Sequence, residues 1–200
     1  IRSPAQRAAR GGGSRRISPG AALHATRGAL AAGFTGTSLV EIARQYPELL
    51  YKPGGSSGHS AIIHIGSDAS AFELQLRAYY HINNGDSDAV VREKIRQTRG
   101  IGPTFLIDTF ETNSGLEAAI SVMKKYGIHA QIRDDSALSS EKTKHFRVRF
   151  DGAELYKARI MLSNDLKPWA IHDLLAEEAP VNTILMGTYL VNPYRLPGPV

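Results

Sequence analysis

Apolar positions along this chain fall into two kinds of pattern, a three-to-four-residue spacing and short continuous runs, and the switches between them mark the predicted elements. Ser18-Pro19 supplies an N-cap and a first-turn proline for a helix through Ala21 to Ala32, ending near Gly33. Ser38 caps a second helix through Val40, Ile42 and Ala43 to Tyr46-Pro47. The glycine- and serine-rich stretch Tyr51 to Ser60 reads as a loop leading into the apolar run Ala61 to Ile65. Ser67 and Asp68 open a helix through Phe72, Leu74, Leu76 and Ala78 to about Ile82, where Asn83-Asn84-Gly85-Asp86 breaks it.

From there the expected order is helix Asp88 to Arg99, strand Thr104 to Ile107, helix Ser114 to Tyr126 and strand Ala130 to Ile132. Strand Phe146 to Phe150, strand Arg159 to Leu162, helix Pro168 to Glu178 and strand Thr183 to Met186 follow. Leu116, Ile120 and Met123 give the Ser114 helix one buried stripe. Strands separated by helices imply an α/β fold with a mainly parallel sheet, closed or partly closed. One link departs from this. Only Gly152 to Ala158 separate Asp151 from Arg159, and a parallel crossover needs about a dozen residues. Either an antiparallel strand or a lost helix is expected there. Asp134 to Lys144 reads as a polar surface loop.

Composition narrows the class. With 42% hydrophobic residues and no cysteine, the 200-residue chain can bury its own core, and disulfide scaffolds, cysteine zinc sites and thiol nucleophiles are excluded. No apolar run is long enough to span a membrane. The net charge of +5 is unevenly placed: residues 1–16 hold five arginines and no acid, leaving 19 basic residues to balance 19 acidic ones in the rest. The organisation expected is a flexible basic arm over 1–16, one α/β domain over 17–191 and an irregular proline-rich tail over 192–200. The Arg- and Ala-rich start suits either the remnant of an organelle-import leader or an arbitrary beginning, and in either case an RNA-contacting arm.

Polar residues recur where the apolar runs stop, at Asp108-Thr109, Arg149-Phe150-Asp151, Ser163-Asn164-Asp165 and Gly187-Thr188. A repeating α/β fold carries its chemistry at such strand ends. On residue type alone each has an ordinary alternative: a solvated His59, an Arg149–Asp151 ion pair, and helix-start residues at Ser163 and Asp165. The remaining histidines show no ligand spacing with carboxylates, so no metal cluster is expected.

Seven stretches in order resemble the central barrel of the nicotinate phosphoribosyltransferases. They are Ser14-Arg15-Arg16; Ala32 to Ser38, similar to Ala-Gly-Phe-Ala-Gly-Thr-Ser; and Gly55 to Ser60, similar to Gly-Thr-Met-Ala-His-Ser. Leu106 to Thr112 is similar to Leu-Val-Asp-Thr-Tyr-Asp-Thr, and Val148 to Leu155 is matched to Val-Arg-Leu-Asp-Ser-Gly-Asp-Leu. Ser163-Asn164-Asp165-Leu166 and Gly187-Thr188 complete the set, the latter as the end of Gly-Val-Gly-Thr.

The resemblance implies an incomplete or irregular (β/α) barrel of the nicotinate/quinolinate phosphoribosyltransferase type. It makes His59 the phosphohistidine, Arg15, Arg16 and Arg149 phosphate or carboxylate ligands, and Asp108 and Asp151 partners of ribose hydroxyls or magnesium. Thr109, Ser163 and Asp165 line the site by position, and backbone donors at Gly187-Thr188 cradle a 5′-phosphate. The departures are Gly152-Ala153-Glu154 in place of Ser-Gly-Asp, Leu185 in place of a glycine, Leu39 in place of Asn, and the short link after Leu155. The family's amino-terminal domain also lies outside the sequence. The expectation is therefore a degenerate barrel kept as a subunit of a larger, mitochondrial assembly such as a ribosome, without cofactor. It would contact other protein subunits there, and rRNA through the arm. The alternative is an active, cytoplasmic nicotinate phosphoribosyltransferase using magnesium and ATP, and a third reading is a nucleotide sensor without turnover.

Overall fold

The computed structural model describes residues 8–11, 19–34, 36–37, 56–83, 85–98, 102–136, 139–164 and 166–187. The helix expected from Ser38 and the tail over 192–200 lie outside these. The fold is α/β, and the strand pairings given below are parallel. It divides into two compact units, residues 1–54, 136–141 and 161–200 in the first and 55–135 and 142–160 in the second.

The second unit runs α2 (His59–Ile65), α3 (Asp68–Tyr79), α4 (Asp88–Gln97), β3 (Thr104–Leu106), α5 (Thr112–Tyr126) and β4 (Gln131–Asp134). It also holds most of α6 (Ser140–Gly152) and the start of β5 (Arg159–Leu162). Of the expected caps, Ser67 is present, its Oγ accepting from the Ser70 N–H at 3.2 Å, and Ser18 and Ser38 lie outside the described residues. Glu111 caps α5, its two carboxylate oxygens accepting from Asn113 and Ser114 N–H, which satisfies donors that a helix start leaves open. β3 pairs with β4 in the register Thr104↔Gln131 to Leu106↔Arg133, and the Arg159 N–H donates to Ala130 O beside it. Phe72 of α3 stacks on Phe105 of β3 with ring centroids 4.8 Å apart. Ile62, Leu76, Leu116, Met123, Ile132, Phe146 and Phe150 are fully buried with them.

The first unit contains β1 (Ala8–Gly11), α1 (Pro19–Ala31), β2 (Gly36–Thr37), α7 (Pro168–Ala176) and β6 (Thr183–Met186). β1 lies between β2 and β6, and Met161 and Leu162 of β5 pair with Thr183 and Ile184. Four residues of the arm thus have paired backbone, because strand pairing needs no apolar side chain.

Two sequence expectations fail together. Phe146 to Phe150 is not a strand, and Asp134 to Lys144 is not simply a surface loop: β4 continues to Asp134, and α6 covers Ser140 to Gly152. Thr143, Phe146 and Phe150 are buried at helical spacing, whereas Val148 is 68% exposed, the reverse of what a strand with one buried face requires. The seven-residue link is therefore the end of an ordinary crossover, with α6 as its helix, and neither an antiparallel strand nor a lost helix is needed. Among the described residues no helix is long and apolar enough to cross a membrane.

Candidate functional site

The second unit brings a set of polar side chains to the C-terminal ends of β3 and β4. After β3, Ile107 is fully buried and the chain turns outward at Asp108-Thr109. This turn is held from below by Gly115 of α5. A Cβ at that position would lie 2.0 Å from Ile107 O, so only glycine lets the helix approach the strand end so closely. After β4 the chain places Arg133, Asp134 and Asp135 beside it.

Arg133 forks between two partners, Nη1 donating to Ser56 Oγ at 2.9 Å and Nη2 to Asp135 Oδ2 at 3.0 Å. The Asp135 N–H donates to Asp108 Oδ2 at 3.2 Å, tying one strand end to the next. His59, the first residue of α2, places Nδ1 3.2 Å from Thr109 Oγ1 and Nε2 3.8 Å from Asp135 Oδ2. The first is a hydrogen bond and the second is too long to be one. In the tautomer that donates Nδ1–H to the threonine hydroxyl, Nε2 would carry the lone pair that a nucleophilic imidazole needs.

Asp108 Oδ1 is buried and has no hydrogen-bond partner among the described residues. Burial, and then the nearby Asp134 carboxylate, push the Asp108 carboxyl above its ordinary range; the Asp135 N–H and His59 pull against that. Asp134 is itself buried and held by Lys142 Nζ at 2.7 Å. Asp68, in the first turn of α3, is also buried, with Oδ1 unpartnered among the described residues, and it is shifted up by burial and then by Asp108. Two unpartnered buried carboxylate oxygens are costly unless a ligand or proton meets them. Among the described residues, no group of three or more His, Asp or Glu is arranged to hold a metal ion. Magnesium, however, uses only one or two carboxylates together with substrate phosphates, and Asp108 fits that role.

The structure brings together three of the residues singled out from sequence, His59, Asp108 and Thr109. Arg149 and Asp151 lie on α6 rather than at a strand end. Arg149 pairs with Glu117 at 2.6 Å and Asp151 with Arg147 at 3.0 Å, one turn apart. The Arg149–Glu117 pair is ordinary solvated helix surface, whereas Arg147 is half-buried and also donates to Leu155 O and Ala158 O, so Asp151 pairs with a side chain that fastens the end of α6 to the link after it. In the first unit, Ser163 is buried just after β5 and Gly187 follows β6, with Leu185 half-exposed within that strand. Arg15, Arg16, Asp165, Thr188 and Leu39 lie outside the described residues.

The residues missed from sequence are Ser56, Asp68, Arg133 and Asp135. A signal for two of them was present: Arg133-Asp134-Asp135-Ser136 keeps the Arg-x-Asp-Ser order of Val-Arg-Leu-Asp-Ser, directly after the crossover helix from Asp108-Thr109. With the motif there, Gly152-Ala153-Glu154 no longer stands in place of Ser-Gly-Asp; Ala137 follows Ser136 where the family has glycine.

No protein-family profile matches the chain. Among curated proteins it is similar to nicotinate phosphoribosyltransferase pncB2 of Mycobacterium tuberculosis, 30% identical over 174 residues, covering 86% of this chain and 32% of that protein. It is also similar to nicotinate phosphoribosyltransferase of Bacillus subtilis, 27% identical over 181 residues, covering 88% and 32%. The chain thus spans about a third of the length of the curated relatives it matches. Among solved structures, nicotinate-nucleotide pyrophosphorylase from Pyrococcus furiosus superposes with a TM-score of 0.64 at 19% identity, over 92% of this chain and 42% of that one, and shares its fold. Sequence and fold together relate the chain to the nicotinate phosphoribosyltransferases, as the counterpart of a barrel segment of such a protein.

Proposed function

We propose that the chain is the catalytic barrel portion of a nicotinate phosphoribosyltransferase, forming nicotinate mononucleotide and pyrophosphate from nicotinate and phosphoribosyl pyrophosphate with ATP use coupled through His59. The observation that carries this reading is the His59–Thr109 hydrogen bond at the centre of the Asp108, Arg133 and Asp135 cluster. Thr109 orients the imidazole, and Nε2 attacks the terminal phosphorus of ATP, forming an N–P bond as the bond to the ADP oxygen breaks. Arg133 supplies a fixed positive fork for a phosphate near the histidine. Asp108 would hold magnesium or ribose hydroxyls through its free oxygen, the metal neutralising phosphate charge when bound.

The test is nicotinate mononucleotide formation by the protein containing this chain, with acid-labile labelling by γ-labelled ATP. Turnover and labelling that both vanish in His59→Ala support the reading. Labelling that survives His59→Ala, or a folded protein without turnover, overturns it.

A second reading keeps the barrel as a non-catalytic subunit of a larger assembly. Leu185 favours it, because a leucine stands where the resemblance has a glycine next to phosphate. Co-purification with an RNA-containing particle in a salt-sensitive manner, without turnover, is its expected signature.

A further inference from the structure

At the other ends of the strands, before β4 and β5 rather than after them, the second unit contains a cavity of about 350 Å³. Its polar lining comes from five places in the chain: Tyr80 at the end of α3, Arg96 and Thr98 at the end of α4, His129 before β4, Lys157 in the turn after α6, and Arg159 at the start of β5. Among the described residues no acidic side chain lines it. Arg96 also borders a second cavity of about 420 Å³, lined in addition by Arg92, Lys124 and Lys125, again without an acid. The chain beyond the arm is electroneutral, and Lys125 of the second cavity is already paired with Glu73 at 2.5 Å and lies 3.9 Å from Asp88, so the positive charge that matters is that of the first cavity.

Basic residues at helix ends often do no more than offset the helix dipole. Here several terminal carbonyls are already engaged. Ile95 O accepts from Thr98 N–H, Lys94 O from the Thr98 hydroxyl, Met123 O from Ile128 N–H, and Lys125 O from Arg92 Nε. The Arg96–Glu93 pair is solvent-exposed, one helical turn apart, and worth little. Burial first, and then Lys157, push the His129 imidazole below the ordinary histidine range. Tyr80 is pushed up to about 12 by burial, so its hydroxyl remains a neutral donor. The volume falls within the usual range of small-molecule pockets.

We propose that this cavity binds the phosphate group of a small phosphorylated molecule, with Arg96, Lys157 and Arg159 supplying charge and the Tyr80 hydroxyl supplying a hydrogen bond. The site is separate from the His59 cluster and does not depend on the function proposed for that cluster.

The experiment follows the His129 ring by NMR across pH with inorganic pyrophosphate, inorganic phosphate or ribose 5-phosphate, at matched ionic strength in sodium chloride. The titratable and charged groups that share the cavity lining with His129 are Tyr80, Arg96, Lys157 and Arg159. Without ligand the ring titrates below the ordinary midpoint, and saturating pyrophosphate raises the midpoint by about one unit, a tenfold gain in proton affinity. Lys157→Ala raises the ligand-free midpoint, and Arg96→Ala and Lys157→Ala each weaken pyrophosphate binding by about tenfold, a fold-change typical of losing one charged contact. Tighter binding of ribose 5-phosphate than of free phosphate identifies a sugar phosphate as the ligand type; the reverse order identifies the inorganic anion.

An unchanged midpoint in excess pyrophosphate overturns the proposal, as does an equal response in Lys157→Ala. Loss of the response in His59→Ala would place the anion at the other site and overturn it too. Displacement by single-stranded oligonucleotides with affinity growing with length would replace a small ligand with a polyanion.

Discussion

Gly115 is where the fold and the candidate site share one contact, and Gly115→Ala tests it. The added Cβ would sit 2.0 Å from Ile107 O, 2.8 Å from its carbonyl carbon and 3.0 Å from its Cα. To reach a non-bonded separation near 3.5 Å, α5 or the strand end must move by about 1.5 Å. The obstacle is backbone, which cannot swing aside as a side-chain tip can, so the cost falls at the upper end of the roughly 1–3 kcal/mol range for overpacking. Alanine returns about 1 kcal/mol of helix propensity, leaving a net loss of about 2 kcal/mol. For a chain of this size that lowers Tm by about 4–8 °C. Gly28→Ala is the matched control. Gly28 is an exposed residue of α1 with nothing within 4 Å of an added methyl, so it should gain up to about 1 kcal/mol. Thermal melts followed by circular dichroism, with urea midpoints as a second measure, compare the two. A Gly115→Ala protein as stable as wild type would refute the close approach of α5 to Ile107, and with it the account of how Asp108-Thr109 is held.

Arg133→Ala should abolish phosphate-ligand binding at the His59 cluster while Arg149→Ala leaves it within twofold, measured by calorimetry with nicotinate mononucleotide; a twofold change is about 0.4 kcal/mol, within the range of surface substitutions. Asp108 has a carboxyl pushed above its unfolded range, so its ionisation opposes folding as pH rises from about 4 through the raised value. Asp108→Asn should therefore raise Tm at pH 7 and lose that advantage near pH 3, while ligand binding falls at both. Glu111 is the opposite case. The N–H groups of Asn113 and then Ser114 hold its carboxyl below the ordinary range, so its stabilisation is present above about pH 4.3 and is lost as pH falls through the depressed value. Tm differences between wild type and Glu111→Gln should be larger at pH 7 than at pH 2.5, and equal differences would sink that assignment.

The elements from Ser67 to Ile132 were legible because local signals agreed there: a serine cap, a single apolar stripe on α5, and short runs bounded by glycine and proline. Phe146 to Phe150 misled because Phe-Arg-Val-Arg-Phe alternates with period two and is rich in β-formers, yet Phe146 and Phe150 are also four apart and share a helix face. Tertiary packing decided between the two periods, burying Thr143 with them and exposing Val148. That misreading also displaced the site. The Val-Arg-Phe-Asp string drew the motif onto α6, while the aspartate that approaches His59, and the arginine paired with that aspartate, sit at the end of β4, where Asp134 and Asp135 together looked like the start of a loop. Asp68 was legible only as a helix start, since its burial beside Asp108 comes from a packing arrangement that no local pattern encodes.

Helix α2 has seven residues, of which Ile62 alone is buried, and Gly66 ends it in a left-handed turn before α3 begins. The histidine at its front edge is therefore carried on a tethered arm with a single apolar foothold, while Arg133 stands in β4 and Asp108 and Asp135 follow the ends of β3 and β4. Withdrawing Ile62 would release this short helix while the helices behind it stay folded. Hydrogen exchange along residues 61–66 should then run ahead of that in α3 and α5 by several orders of magnitude, the gap expected between a local opening and global unfolding.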